Sequence, residues 1–416
     1  MTYWIFIPPI RPTVETIQLL AMESQREGFW PRLSRLKCNI GWNIVPFVSL
    51  FLTPTITDLD LTLPRESNRL LLPTLSLFAH TCCCLQTLKL DVTTSCALSS
   101  GEIGRLISAS RNTLCHIDIT PLTPPETFPA IFNLPRLRSL ILQEPRFPNQ
   151  ISAEISSHLE TINLSGRHGS NLNLFLGRLP FQKLAKVSIS RGEIIQLPSL
   201  LDPLRGAAAT MRELYLSPAA TLDRSSVTLL RSFADLTSLT ISCICGDPEW
   251  NLSCSFQPTD EDISELGRGL PHICTLSLGL GCRSPRLATF SSLLSLSRTC
   301  GHLENLSIRV DFLSIIGVFN QPDHPSLRAN DARPPKTKSR LSVLRVGDSP
   351  LPDTPSCEWA VALALVSIFP SIGLLGSGCT GEMHNRWCWV WRDVLACRRI
   401  IDITQAAGEH PSARVW

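Results

Sequence analysis

Apolar positions recur in one frame along the chain. The pattern is L-x-x-L-x-L, with aliphatic substitutions. It begins at Leu33, Ile56, Leu85, Leu114, Leu137, Leu159, Leu184, Met211, Leu236, Ile273, Leu303 and Leu341. LQTLKL from Leu85, LRSLIL from Leu137, LETINL from Leu159 and LENLSI from Leu303 are examples. The twelve starts are spaced 28 residues apart on average, mostly at steps of 22 to 30. The positions between the aliphatic ones are mostly polar, which is the period-2 alternation of a half-buried strand. The bare triplet is not specific, since chance gives about half a dozen hits in a chain this rich in aliphatic residues. Order and context raise the signal. Pro31, Pro135, Pro271 and Gly301 each stand two residues before a frame, and Pro180 stands four before one, where they stop a helix before extended chain begins.

Helical halves precede the breaks. Ser99-Ser100-Gly101-Glu102 reads as a capping box, followed by Ile103, Leu106, Ile107 and Ser110 on one face. Thr259-Asp260-Glu261-Asp262 reads as a second start, with acids where the helix dipole favours them, and Ile263, Leu266 and Leu270 follow at helical spacing. Ser225 is a candidate cap for a helix carrying Leu229, Leu230 and Phe233. Each unit therefore reads as strand, loop, helix, break.

One such unit cannot bury its own apolar face, whereas stacked units can. The expected fold is an α/β leucine-rich-repeat solenoid (a horseshoe), with parallel strands on the concave face and helices outside. An ordinary doubly wound α/β domain is the alternative, and it would show fewer strands, as continuous apolar runs. The expected organisation is an N-terminal segment or partial cap over 1–28 and the solenoid over 29–320. A mobile proline-rich insertion follows over 321–340, then the last repeat and a C-terminal cap over 341–416. In the cap the sequence predicts a helix near Trp359 to Ile368, a strand near Ile372 to Leu375 and an amphipathic stretch near Arg386 to Arg399.

Composition agrees with this picture. Sixty-five of the 416 residues are leucine, and only 18% are charged, so whole-chain disorder is excluded. The net charge of +3 argues against a dedicated nucleic-acid binder. The 16 cysteines are scattered except for Cys82, Cys83 and Cys84. A chain this long needs no disulfide staples, so they read as reduced, buried small hydrophobes of an intracellular protein, cytoplasmic or nuclear. Met1 to Ile10 has no basic region and no signal-cleavage site. The sequons at Asn163, Asn251 and Asn305 would then stay unmodified. The basic tract Lys336 to Arg340 reads as part of a loop, or as a docking tract.

Candidate chemistry is sparse. Gly376-Ser377-Gly378-Cys379-Thr380-Gly381 matches G-x-G-x-x-G, with Asp402 downstream, so a nucleotide-dependent enzyme is one alternative. Only 35 residues follow Gly381, too few for a nucleotide domain, and a glycine loop in the cap is the plainer reading. A membrane tether through 359–375 is a second alternative, but Pro370 interrupts that apolar run and a span needs about 20 residues. Cys243, Cys245 and Cys254, and Cys379, Cys388 and Cys397 with His384, lack the paired spacing of a zinc site. No cofactor, no metal and no catalytic constellation is expected. Trp387, Trp389 and Trp391 alternate, and read as cap packing or as an aromatic contact site.

In the expected solenoid, residues alternate with the frame and face outward. Lys37, Asp60, Lys89, Asp118, Asn163, Tyr215, Arg309 and Arg345 are the candidates for binding a protein partner on the concave face. Neither phosphate backbone nor membrane suits so mixed a surface.

FWPRLSRLKCN (Phe29 to Asn39), then PFVSLFLTPTITDLDL (Pro46 to Leu61), resembles the start of the leucine-rich-repeat region of F-box-type proteins of mushroom-forming (basidiomycete) fungi. RLSVLRVGDSPLPD (Arg340 to Asp353) and IFPSIGLL (Ile368 to Leu375) are similar to its end. The resemblance spans Phe29 to Arg399. It implies a non-enzymatic substrate-recognition subunit of a cullin–RING ubiquitin ligase, whose F-box docks the ligase adaptor. Met1 to Gly28 lacks an F-box pattern, so adaptor binding would need an F-box upstream. The asparagine that follows the frame in tighter repeats is missing in most units, as in Ser165-Gly166-Arg167, so longer, irregular repeats are expected.

Overall fold

The computed structural model describes residues 4–6, 33–39, 51–63, 71–92, 100–120, 125–143, 145, 147, 158–166, 172–179, 182–190, 196–217, 222–243, 256, 258–279, 288–315, 339–351, 355–376 and 382–409. The chain forms two compact units, Met1–Glu193 and Ile194–Trp416.

In the first unit the described strands are β1 (Trp4–Phe6), β2 (Arg35–Asn39), β3 (Asp58–Leu63), β4 (Thr87–Val92), β5 (His116–Thr120), β6 (Ser139–Gln143), β7 (Thr161–Ser165) and β8 (Lys186–Ser190). They pair in parallel, each with the next in the chain. The helices are α1 (Leu71–Thr81), α2 (Ser100–Ala109), α3 (Phe128–Phe132) and α4 (Leu172–Leu176). The frame sets the register. Leu36, Leu59, Leu88, Ile117, Leu140, Ile162 and Val187 are partners across the sheet, and Cys38, Leu61, Leu90, Ile119, Leu142, Leu164 and Ile189 form the next row. All are buried. Each full burial of such a side chain stabilises by about 1.5–3 kcal/mol. A one-residue slip would expose the whole set, so the register is strongly specified.

The backbone closes the stack. The carbonyl of Ser34 accepts from the amides of Thr57 and Asp58, at 2.8 and 3.0 Å. Thr57, Gln86, Cys115, Arg138 and Glu160 repeat this double acceptance one unit further each time. Below the short helices α3 and α4, the rings of Phe128, Phe132, Phe147 and Phe175 fill the interior, with Phe147 stacked on Phe175 at 4.4 Å.

The second unit repeats the plan with β9 (Glu213–Leu216), β10 (Ser238–Ile241), β11 (Thr275–Leu278), β12 (Ala288–Thr289), β13 (Asn305–Ile308), β14 (Val310–Asp311), β15 (Val343–Arg345) and β16 (Leu374–Gly376). Its main sheet runs β9, β10, β11, β13, β15, β16, all parallel, while β12 pairs with β14 outside it. The helices are α5 (Leu197–Leu204), α6 (Arg224–Leu230), α7 (Asp260–Gly269), α8 (Phe290–Thr299), α9 (Pro355–Ile368) and α10 (Glu382–Glu409). Leu214, Leu239, Leu276, Leu306, Leu344 and Leu375 share one row. Each unit is an α/β leucine-rich-repeat solenoid.

Local chemistry explains the element ends. Thr259 and Asp262 make the capping box of α7, with Asp262 N donating to Thr259 Oγ1 at 3.2 Å and Thr259 N to Asp262 at 3.0 Å. At α6 the cap is Asp223, not Ser225. Its carboxylate accepts from Ser226 N at 2.8 Å and from Ser225 Oγ at 2.9 Å, satisfying an otherwise orphaned helical amide. Phe233 lies beyond α6 but is buried. Gly166 and Gly279 have φ of 100° and 56°, and each amide donates to the neighbouring strand's carbonyl (Ser190 and Ile241) at 2.8 Å.

The C-terminal elements follow the predicted order, as α9, β16 and α10. The stretch 359–375 is split between α9 and β16, and among the described residues no helix is long and apolar enough to cross a membrane. Residues 7–28, residues 321–338 of the insertion with Lys336 to Lys338 of its basic tract, and Ser377 to Gly381 of the glycine loop lie outside the described residues.

Candidate functional site

The residues between the last two frame positions of each strand point away from the core. In the first unit they form an in-register row: Lys37, Asp60, Lys89, Asp118, Ile141, Asn163 and Ser188. The first four alternate in sign. Lys37 Nζ lies 3.0 Å from Asp60 Oδ2, and Lys89 Nζ lies 3.6 Å from Asp118 Oδ2. Asp60 and Lys89 are register partners, so the two ion pairs are adjacent. Both lysines are about half exposed, and both aspartates are more enclosed. Exposed pairs of this kind contribute only about 0–1 kcal/mol to stability. Burial raises the Asp118 carboxyl above the ordinary aspartate value; Lys89 opposes that shift, and Asp60 adds to it.

A second row begins with Arg35 and Asp58, whose Nε and Oδ2 lie 3.5 Å apart. Thr57 Oγ1 also donates to Asp58 at 2.8 Å. Sequence reasoning passed over this pair. The signal was available, because both residues sit one place before the second frame position in consecutive units.

In the second unit the equivalent row is Tyr215, Thr240, Ser277, Ser307, Arg345 and Gly376. Tyr215 is 39% exposed, but Ser307 is buried. Arg309 lies just past the end of β13. Its Nη2 donates to the Asp348 carbonyl at 3.2 Å, so it ties a loop instead of extending the row. Thus Lys37, Asp60, Lys89, Asp118 and Asn163 share one row of the first unit, Tyr215 and Arg345 share one of the second, and Arg309 stands apart.

The alternating tryptophans lie on a helix, α10. Trp387 is buried, while Trp389 is 51% exposed with the Arg392 guanidinium 4.1 Å above its ring. Cys388 Sγ is 3.6 Å from His384 Nε2, whereas Cys397 is buried; Cys245, Cys254 and Cys379 lie outside the described residues. Among the described residues, no group of three or more His, Cys, Asp or Glu side chains is placed to hold a metal. The expectation of buried cysteines holds for Cys38, Cys82, Cys300 and Cys397, but Cys83, Cys84 and Cys388 are exposed.

No protein-family model matches the chain, and no curated protein matches it. Solved structures do. The yeast Rad7–Elc1 complex is 14% identical over 90% of this chain and 86% of that one, with a TM-score of 0.47. An internalin of Listeria monocytogenes is 11% identical over 88% and 95%, with a TM-score of 0.44. A leucine-rich-repeat protein of Leptospira interrogans is 13% identical over 87% and 92%, with a TM-score of 0.40.

Proposed function

We propose that the chain is a protein-binding scaffold, and that the charged row of the first unit is its docking surface. The observation that carries this reading is the in-register alternation of Lys37, Asp60, Lys89 and Asp118. Strands lie about 4.8 Å apart, so the four charges extend over roughly 14 Å. Their signs cancel. Each lysine is beside an aspartate, which disfavours a polyanion and favours a protein surface with its own mixed charge. Such a row sets orientation and association rate more than raw affinity.

The test is comparative capture with the full chain. Proteins retained by the wild type at low salt should be lost with Lys37→Glu/Lys89→Glu, and also with Asp60→Lys/Asp118→Lys. Identical retention by wild type and both double variants would overturn this surface assignment.

The resemblance of the Phe29 to Leu61 and Arg340 to Leu375 segments to F-box-type repeat regions supports a finer role. In it the scaffold is a substrate-recognition subunit of a cullin–RING ubiquitin ligase. Co-precipitation of the ligase adaptor with the product of the full gene tests that role, and a clean failure to retain the adaptor removes it.

A further inference from the structure

The turn between α1 and β4 carries Cys82, Cys83 and Cys84. Cys82 is buried and ends the helix, its amide donating to the Phe78 carbonyl at 2.8 Å. The next two thiols are exposed, with their sulfurs 4.0 Å apart. The following repeat holds this turn from both sides. Ser110 Oγ donates to the Cys82 carbonyl at 2.9 Å, and Thr113 Oγ1 donates to the Leu85 carbonyl at 2.7 Å. The backbone flanking the pair is therefore fixed, while the two sulfurs face solvent.

At a metal–sulfur distance of about 2.3 Å, two sulfurs 4.0 Å apart subtend roughly 120° at a shared ion. A disulfide instead needs sulfurs about 2.05 Å apart and Cα atoms about 4.4–6.8 Å apart. Consecutive Cα atoms across a trans peptide lie only about 3.8 Å apart. The spacing suits a shared metal better than a bond between the two sulfurs.

We propose that Cys83 and Cys84 together chelate one thiophilic metal ion of the Zn2+, Cd2+ or Cu+ class, with solvent completing its coordination. Thiolates select such soft cations over Mg2+ or Ca2+. Binding forms two metal–sulfur bonds and releases the two thiol protons to solvent, with no change of oxidation state. This site is independent of the docking surface proposed above.

The test is titration of the reduced full chain with Cd2+, following ultraviolet thiolate-to-cadmium absorption in competition with a chromophoric chelator. Cys83→Ser, Cys84→Ser and the double variant should each weaken the same single equivalent, roughly 10²-fold, because a bidentate site loses its second arm. Cys388→Ser, which removes an exposed thiol elsewhere, should leave that equivalent intact. Undiminished binding by the double variant would overturn the site. So would small, additive losses from the two single variants, which would mean that each sulfur binds alone.

Discussion

The indole Nε1 of Trp387 donates to the main-chain carbonyl of Ser349 at 3.1 Å, and both groups are buried. This bond ties α10 to the turn after β15. The same serine accepts from Val310 N at 2.8 Å and donates to the Val346 carbonyl. The Trp387 ring also meets Phe312 edge-on, with centroids 5.1 Å apart. At Trp387 the C-terminal helix is thus pinned by a polar bond inside an apolar contact. Trp387→Phe keeps an aromatic ring but strands the Ser349 carbonyl. It should lower unfolding free energy by about 1–3 kcal/mol. Denaturant unfolding checks it, and a midpoint equal to wild type would show that the bond does not hold α10.

Two helical glycines should respond to alanine with opposite signs. A Cβ on Gly267 would lie 2.7 Å from Thr299 Oγ1 and 3.0 Å from Leu296 Cδ2, so α7 and α8 approach closely there. A Cβ on Gly104 of α2 would meet nothing within 4 Å. Overpacking costs about 1–3 kcal/mol, and the gain in helix propensity is at most about 1 kcal/mol. Gly267→Ala should therefore destabilise, while Gly104→Ala should stabilise by about 0.5–1 kcal/mol. Thermal unfolding of both variants distinguishes the signs.

The same contrast shows which parts of the fold were legible in the sequence. All twelve aliphatic frames became strands or strand starts, because period-2 alternation plus a repeated break is a strong local signal. β1 was not read, since Trp4-Ile5-Phe6 carries no frame, and its strand exists through pairing with β2. β12 and β14 are two-residue strands made only by each other. Asp223 was missed as a cap because serine and aspartate are both good caps, and the choice depends on which residue first leaves helical geometry. At the candidate site, the row of Lys37, Asp60, Lys89 and Asp118 follows from their equal offset in the frame. Their pairing needed the stacking order, and the Arg309 bond to Asp348 needed the loop.

Thiol reactivity should divide the cysteines by burial. Burial pushes the Cys38 thiol up to about 11; at Cys82, burial and then the neighbouring Cys83 push it up to about 12. At pH 8 the fraction of Cys38 as thiolate is then on the order of one in a thousand. Cys388 is exposed on α10. Brief alkylation at pH 8, read by peptide mass spectrometry, should label Cys388 and leave Cys38 and Cys82 unlabelled until denaturant is added. Early labelling of Cys38 would contradict the packing of β2 against its neighbours.

Asp118 should make stability depend on pH in the direction opposite to a typical paired carboxylate. Its folded value is raised, first by burial, with Lys89 lowering it and Asp60 raising it further. Below the ordinary value of 3.8 the carboxyl is neutral in both the folded and unfolded chains and contributes no pH dependence. As pH rises from there through the raised folded value, the unfolded chain gives up its proton first. The folded state then holds more protons, and stability falls with pH. Above both values the folded chain carries the full cost of an enclosed charge. Asp118→Asn removes that titration and keeps the shape. Its melting temperature relative to wild type should therefore rise between acid and neutral pH and stay level beyond. Thermal melts of both proteins across this range provide the comparison. A relative melting temperature that falls toward neutral pH would mean that the Lys89 ion pair outweighs the burial of Asp118.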